Sequence, residues 1–254
     1  MSFTGSTETG RRTLRSAADS VVSPRMELGG NAPFIVLEDA DLDAAVAGAM
    51  VAKMRNMGEA CTAANRFYVH ENVHDEFVAR LARAMGALKV GNGLEPGVAV
   101  GPLVNAEMRD KVEALVEDAR SRGAKVETGG RRLAPPGYFY APTVLSHVPE
   151  EALCLREEIF GPVAPVQPFG NEDQLLARAN ATEYGLVAYV YTRDLAHGLA
   201  PSQRLEVGMV GLNRGIVSDP AAPFGGVKQS GLGREGAHEG MMEFLETQYI
   251  SVSW

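Results

Sequence analysis

Cysteine is almost absent from this chain: Cys61 and Cys154 are the only two in 254 residues. Neither belongs to a CxxC pair or to a His/Cys cluster at metal-ligand spacing. A disulfide framework and a structural zinc site are therefore not expected, no metal is assigned, and the count suits a reducing cytoplasm. Positive charge is also scarce. The 24 Lys and Arg stand against 32 Asp and Glu, a formal net charge of -8. Such a chain has no basic field to displace phosphate counterions, which argues against a nucleic-acid partner. Apolar runs stay short, none approaching the roughly 18 consecutive residues of a membrane-spanning helix. The opening Met1-Ser2-Phe3-Thr4-Gly5-Ser6 lacks the basic-then-apolar order of a secretory signal. These absences together lead to the expectation of a soluble, cytoplasmic protein with no membrane or nucleic-acid partner.

What is present is an ordinary globular composition, 45% hydrophobic and 22% charged with 28 Gly and 14 Pro, with room for one large core or two modest domains. Short apolar runs alternate with helical periods. Residues 33–37 (PFIVL) read as a buried strand, followed by a helix that Asp41 caps. A strand at 66–70 precedes an amphipathic helix over 73–88, with Phe77, Leu81 and Met85 on one stripe. A Gly/Pro-rich loop at 91–102 leads to a helix over 107–122, which Gly123 ends with a left-handed cap. A strand at 125–128 and an extended segment at 139–145 follow. A strand at 163–169 then leads to a helix at 172–181, and strands at 187–192 and 207–213 flank a short helix. This alternation predicts α/β architecture with a mostly parallel sheet.

The ends differ from the middle. Phe3 to Ser6 reads as a strand end opening into a helix over 7–18, a strand for which no upstream neighbour exists. Residues 248–254 (QYISVSW) alternate like a strand that needs a partner from another sheet or subunit.

Two segments carry potential chemistry. In 55–66 (RNMGEACTAANR), Cys61 follows a Gly-containing turn and precedes a strand, a place for an exposed nucleophile or equally for a small buried hydrophobe. In 26–31 (MELGGN), Glu27 at a strand end could act as a general base or be a solvated charge.

Taken with three further motifs, these segments resemble the aldehyde dehydrogenase superfamily over essentially the whole chain. In the family's order stand FTGST at 3–7, ELGGNAPFIV at 27–36, GEACTAANR at 58–66, EEIFGPV at 157–163 and PFGGVKQSGLGRE at 223–235. The MRN before the cysteine and the GIVS at 215–218 are most similar to succinate-semialdehyde dehydrogenases. The resemblance implies oxidation of a small-molecule aldehyde to the carboxylic acid with NAD or NADP. Cys61 would form a thiohemiacetal and then a thioester, a covalent route that suits a thiolate. Glu27 would activate the hydrolytic water, with its pKa raised by burial, and the Cys61 backbone N–H would serve the oxyanion. The resemblance places Gly5 and Ser6 at the cofactor pyrophosphate, at a helix N-terminus, with Glu158 and Phe160 at the nicotinamide ribose. For the substrate it implies Arg55 and Ser218 on a carboxylate, with Phe224 as an apolar wall that also suits an aromatic aldehyde. Glu157 reads as an exposed charge and Cys154 as structural.

The sequence departs from the family at Glu59, where Gln is common; a charge two residues before Cys61 would raise the thiol pKa. Ala63 stands where some semialdehyde enzymes have a second cysteine. The family's oxyanion asparagine, its adenosine-contacting lysine and a second substrate arginine have no counterparts in these residues. The resemblance thus implies an aldehyde-dehydrogenase-type catalytic domain at 31–229. Before it comes a remnant of the Rossmann-like cofactor domain at 1–30, and after it a helix and oligomerisation strand at 230–254 that point to a homo-oligomer. Weak cofactor binding follows from the same comparison. The alternatives are a catalytically impaired relative retaining only esterase or thioesterase activity through Cys61 and Glu27, or one with a structural role.

Overall fold

Side-chain caps set where most helices begin. In this computed structural model, which describes residues 1–134 and 136–254, Ser6 accepts from the Thr9 N–H at the head of α1 (Thr7–Ala18). Asp41 accepts from the Asp43 and Ala44 N–H groups at α2 (Leu42–Met54), and the His70 ring from Asn72 at α3 (Glu71–Gly86). Asn105, Asn171 and Asp194 cap α4 (Ala106–Ser121), α5 (Glu172–Asn180) and α6 (Leu195–Arg204) in the same way. Each cap satisfies N–H groups that a first helical turn leaves without acceptors. The short α7 (Ala237–Met242) has no side-chain cap.

Among the described residues the strands form three sheets. β1 (Ser2–Thr4) and β2 (Arg25–Glu27) pair in parallel, and β12 (Gly231–Leu232) joins β2 antiparallel. The central sheet comprises β3 (Ala32–Val36), β4 (Ala64–His70), β5 (Lys125–Thr128), β6 (Thr143–Ser146), β7 (Val163–Phe169), β9 (Val187–Tyr191) and β10 (Met209–Leu212). Its spatial order is β10-β9-β3-β4-β7-β6-β5. Every neighbour pair in it is parallel except β5 on β6. β8 (Tyr184–Gly185) and β11 (Val227–Lys228) make a small antiparallel pair. The chain is an α/β fold around a mostly parallel sheet.

Helices cover both faces of that sheet, which is why β3 reads as one continuous apolar run rather than an alternation. Phe34 and Val36 face α2 and α3, where Ala45, Ala49, Phe77 and Leu81 close the layer. Ile35 and Leu37 face Leu175, Leu176 and Leu205 on the other side. Phe34 is fully buried and stacks on Tyr191 with ring centroids 5.0 Å apart, while Phe67 lies 5.1 Å away.

The structure adds to or departs from the sequence reading in four places. The opening strand does have a neighbour: β2, downstream, pairs with it. Residues 1–30 are also tied to the far end of the chain, because β12 lies on β2. And Gln248–Trp254 forms no strand: among the described residues it pairs with nothing, and Tyr249 and Trp254 are exposed. An alternating segment gains ladder bonds only where a sheet edge is offered. Of the extended segment foreseen at 139–145, only Thr143 onward joins the sheet. Among the described residues no helix is long and apolar enough to cross a membrane.

Truncating the central aromatic tests this core. Phe34→Ala should cost roughly 3–5 kcal/mol, the range for a buried Phe, measured as a lower denaturant midpoint at unchanged slope.

Candidate active site

Three loops feed neighbouring parallel strands from the same edge of the sheet. Glu27-Leu28-Gly29-Gly30-Asn31 leads from β2 into β3, residues 55–63 lead from α2 into β4, and Leu153 to Pro162 lead into β7. Because β3, β4 and β7 are adjacent and parallel, these loops converge at their amino ends. The approach to β4 contains consecutive left-handed residues, Asn56, Met57 and Gly58. That turn leaves α2 sharply and swings Cys61 out of line with the helix. Phe160 is left-handed as well, an uncommon state for a bulky residue and one that marks an over-determined position.

The β2–β3 loop is hydrogen-bonded to the loop before β7 and to segments from both ends of the chain. The Gly30 N–H donates to the Glu158 carboxylate at 3.0 Å, and the Asn31 amide donates to the Leu155 carbonyl at 3.1 Å. The Ser230 hydroxyl donates to the Gly29 carbonyl at 2.7 Å, and the Gly5 N–H to the Glu27 carbonyl at 3.0 Å. A Cβ on Gly30 would collide with the carbonyl oxygen of Cys61, so glycine is required for this approach. Behind the Cys61 loop, the Tyr189 hydroxyl donates to the Thr62 carbonyl at 2.8 Å.

The result is a cleft of about 500 Å³ lined by Gly5, Ser6, Glu27, Cys61, Glu158 and Phe160 among others. Its electrostatics follow from burial. Glu27 is 5% exposed, and one of its carboxylate oxygens has no hydrogen-bond partner. Burial, then the neighbouring Glu235, push its pKa up to about 7, against the Gly226 N–H and Arg234. Cys61 is half-buried rather than exposed. Burial first, then Glu27 and Glu158, push its thiol up to about 11, while the N–H groups of Cys61 and Thr62 favour the thiolate. Glu59 is not among those causes. Its carboxylate accepts from the Val104 N–H at 3.2 Å, and burial raises its own pKa. The influence foreseen for Glu59 on the thiol therefore belongs to Glu27 and Glu158. Cys154 is fully buried, its thiol pushed up to about 12, and Glu157 is exposed.

The three substrate candidates lie outside this cleft's lining. Arg55 is exposed beside the nucleophile loop, donating to the Thr62 hydroxyl at 3.2 Å. Ser218 is exposed on the loop after β10, and Phe224 is half-buried next to Gly225, itself close to the Glu27 carboxylate.

The described residues 1–250 match the family model described as the aldehyde dehydrogenase family. The chain belongs to the aldehyde dehydrogenase family. It is 58% identical over 253 residues to a succinate-semialdehyde dehydrogenase of Paenarthrobacter nicotinovorans, covering 100% of this chain and 56% of that protein. It is 50% identical over 250 residues to a glutarate-semialdehyde dehydrogenase of Pseudomonas aeruginosa, covering 98% of this chain and 52% of that protein. The crystal structure of an aldehyde dehydrogenase from Brucella melitensis biovar abortus 2308 superposes with a TM-score of 0.96 at 52% identity. That match covers 98% of this chain and 51% of the other. An NAD+ complex of the aldehyde dehydrogenase from Bacillus cereus superposes with a TM-score of 0.93 at 39% identity, covering 96% of this chain and 50% of the other. The chain spans about half the length of the relatives it matches.

In this aldehyde dehydrogenase-family chain, sequence reasoning missed Lys53, Lys111 and Glu235. Lys53 is fully buried, donates to the Asn65 side chain at 2.9 Å, and is pulled down to about 7 by burial, against Glu158 and Cys154. A lone lysine inside an apolar helical stretch was the available signal. Lys111 donates to the Glu158 carbonyl at 2.7 Å from α4, and nothing in the sequence ties it to that position.

Alkylation separates the two thiols. Iodoacetamide should label Cys61 well before the inaccessible Cys154. Its rate should keep climbing as pH rises toward about 11, because only the thiolate reacts. Equal labelling of both thiols, read by intact and peptide mass, is the contrary result.

Proposed function

We propose that this chain oxidises a small aldehyde to its carboxylic acid, with Cys61 as nucleophile, Glu27 as base, and NAD or NADP as oxidant. The observation that carries the reading is that Cys61, Glu27, Glu158, Phe160 and the head of α1 line one cleft. The residues fit a nicotinamide cofactor. Ser6 caps α1, whose first-turn N–H groups favour a phosphate. Gly29 and Gly30 bring bare backbone beside the Glu158 carboxylate, which can accept from a ribose hydroxyl. When bound, the cofactor supplies the two-electron acceptor that converts a thiohemiacetal on Cys61 into a thioester.

The chain's own residues account for the remaining steps. The sulfur of Cys61 bonds to the aldehyde carbon as its proton leaves, and Glu27, half ionised near pH 7, is the acceptor within the cleft. The backbone N–H of Cys61 serves the developing oxyanion. Glu27 passes the thiol proton to solvent. In hydrolysis it takes a proton from water, the oxygen bonds to the acyl carbon, and the C–S bond breaks to release the acid and the thiolate, which Glu27 reprotonates. A rate that depends on ionised Glu27 rises with pH through about 7. The matched cofactor positions form a small contact set, and we expect these 254 residues alone to bind NAD(P) weakly. Esterase activity should then exceed dehydrogenase activity. The exposed Phe244, Tyr249, Ile250 and Trp254 suit a second copy of the chain.

The test is hydrolysis of p-nitrophenyl acetate alongside reduced-cofactor absorbance with succinic semialdehyde. Cys61→Ser should abolish both activities. Glu27→Gln should slow deacylation, leaving an acyl-enzyme visible by intact mass. Hydrolysis that survives Cys61→Ser would remove the nucleophile assignment. Reduced-cofactor formation absent at saturating NAD and NADP, with Cys61-dependent hydrolysis present, would leave an esterase.

For the substrate, the relatives named for semialdehydes and the exposed Arg55 beside Thr62 favour an aldehyde with a terminal carboxylate, which Ser218 also serves. Phe224 would supply the apolar wall. A charged hydrogen-bonded contact contributes roughly 1.5–3 kcal/mol. Arg55→Ala should therefore lower kcat/KM about tenfold or more for succinic semialdehyde but little for benzaldehyde. Equal losses on both would make Arg55 a structural residue.

A further inference from the structure

The fold assembles three side chains whose sequence spacing announces nothing. His74 and Asp75 lie near the start of α3, and His147 directly follows β6. Each can offer one ligand atom such that these atoms all lie within 4.8 Å of one another. The His74 and His147 rings stand 4.8 Å apart, and the Asp75 carboxylate is 2.8 Å from Nδ1 of His74.

Two features separate this cluster from a chance surface grouping. First, the His74 side chain is 2% exposed, and its Nε2 is buried without a hydrogen-bond partner. An imidazole nitrogen left bare in the interior is costly, and most such groups find a partner. Second, the buried ring meets two groups free to move: Asp75 is 92% exposed and His147 is exposed. Beside them Asp75, His147, Glu127 and Ser146 line a cleft of about 250 Å³, together with Lys125.

We propose that His74, Asp75 and His147 bind a divalent cation of the zinc class, clipping α3 to the end of β6. Two imidazoles with one carboxylate suit zinc and its borderline neighbours, whereas magnesium and calcium prefer all-oxygen shells. At zinc–ligand distances of about 2.0–2.1 Å, the three ligand atoms must draw closer than they now stand, which rotation of Asp75 and His147 provides. Water or Glu127 completes the shell. Lys125 is the opposing charge: it lines the same cleft as Asp75.

The position makes this a site of its own. His147 follows the carboxyl end of β6 and α3 follows the carboxyl end of β4, whereas Cys61, Glu27 and Glu158 gather at the amino ends of the parallel strands. Occupancy of the cluster is therefore a structural event at the opposite edge of the sheet.

The test is titration of the purified chain with zinc chloride by isothermal calorimetry. It is run beside three variants: His147→Gly, Asp75→Asn and Cys61→Ser. Glycine tolerates the left-handed conformation of residue 147, and Asp75→Asn alters only an exposed side chain. The wild type and Cys61→Ser should each bind a single equivalent. His147→Gly and Asp75→Asn should weaken binding by at least about tenfold, since even outer-shell changes at metal sites cost that much. Zinc should also raise the thermal midpoint of the wild type and not that of His147→Gly. No binding by the wild type, or equal binding by wild type and both cluster variants, overturns the proposal. So does binding lost only in Cys61→Ser, which would place the metal on the nucleophile.

Discussion

The site depends on a piece of backbone that carries no side chain. At Gly30 the turn from β2 into β3 passes against the Cys61 carbonyl so closely that a Cβ would collide with it. The same residue turns its N–H to the Glu158 carboxylate. One glycine thus sets the spacing between the loop of Cys61 and that of Glu158, with Glu27 three residues upstream. Gly29, next to it, is held by the Ser230 hydroxyl, which also accepts from the Gly185 N–H. The far end of the chain therefore braces the turn on which the cleft is built.

Burial gives the cleft its chemistry. With little water to solvate charge, burial pushes Glu27 up to about 7 and the Cys61 thiol up to about 11, and pulls the buried Lys53 down to about 7. Glu158 is raised too, though the Gly30 N–H, Lys111 and Lys53 hold it back. A carboxyl group near 7 can both take and release a proton at neutral pH, which is what a base that must turn over needs. The thiol is less favourably placed. Its own N–H and that of Thr62 help the thiolate, but two acidic neighbours oppose it.

Open parallel sheets usually bind ligands at the carboxyl ends of their strands. This central sheet has the loops that line the cleft at the amino ends of β3, β4 and β7. The carboxyl edge is left for the helix caps and, between α3 and β6, for the histidine pair.

The sequence by itself determined the elements and the chemical types. Period and capping were enough to locate β3, β4, β7 and α1 through α6 to within a few residues, because local hydrogen bonding and burial of one face act over short spans. The five ordered motifs were enough to mark the family. What only the tertiary structure decided were distances between segments far apart in the chain. The pairing of β1 with β2, the partnership of Lys111 with Glu158, the source of the charge around Cys61, and the meeting of His74 with His147 all arise where strands cross over in the sheet. Residues 248–254 show the same limit from the other side: an alternating pattern specifies a strand only when an edge is present to receive its hydrogen bonds.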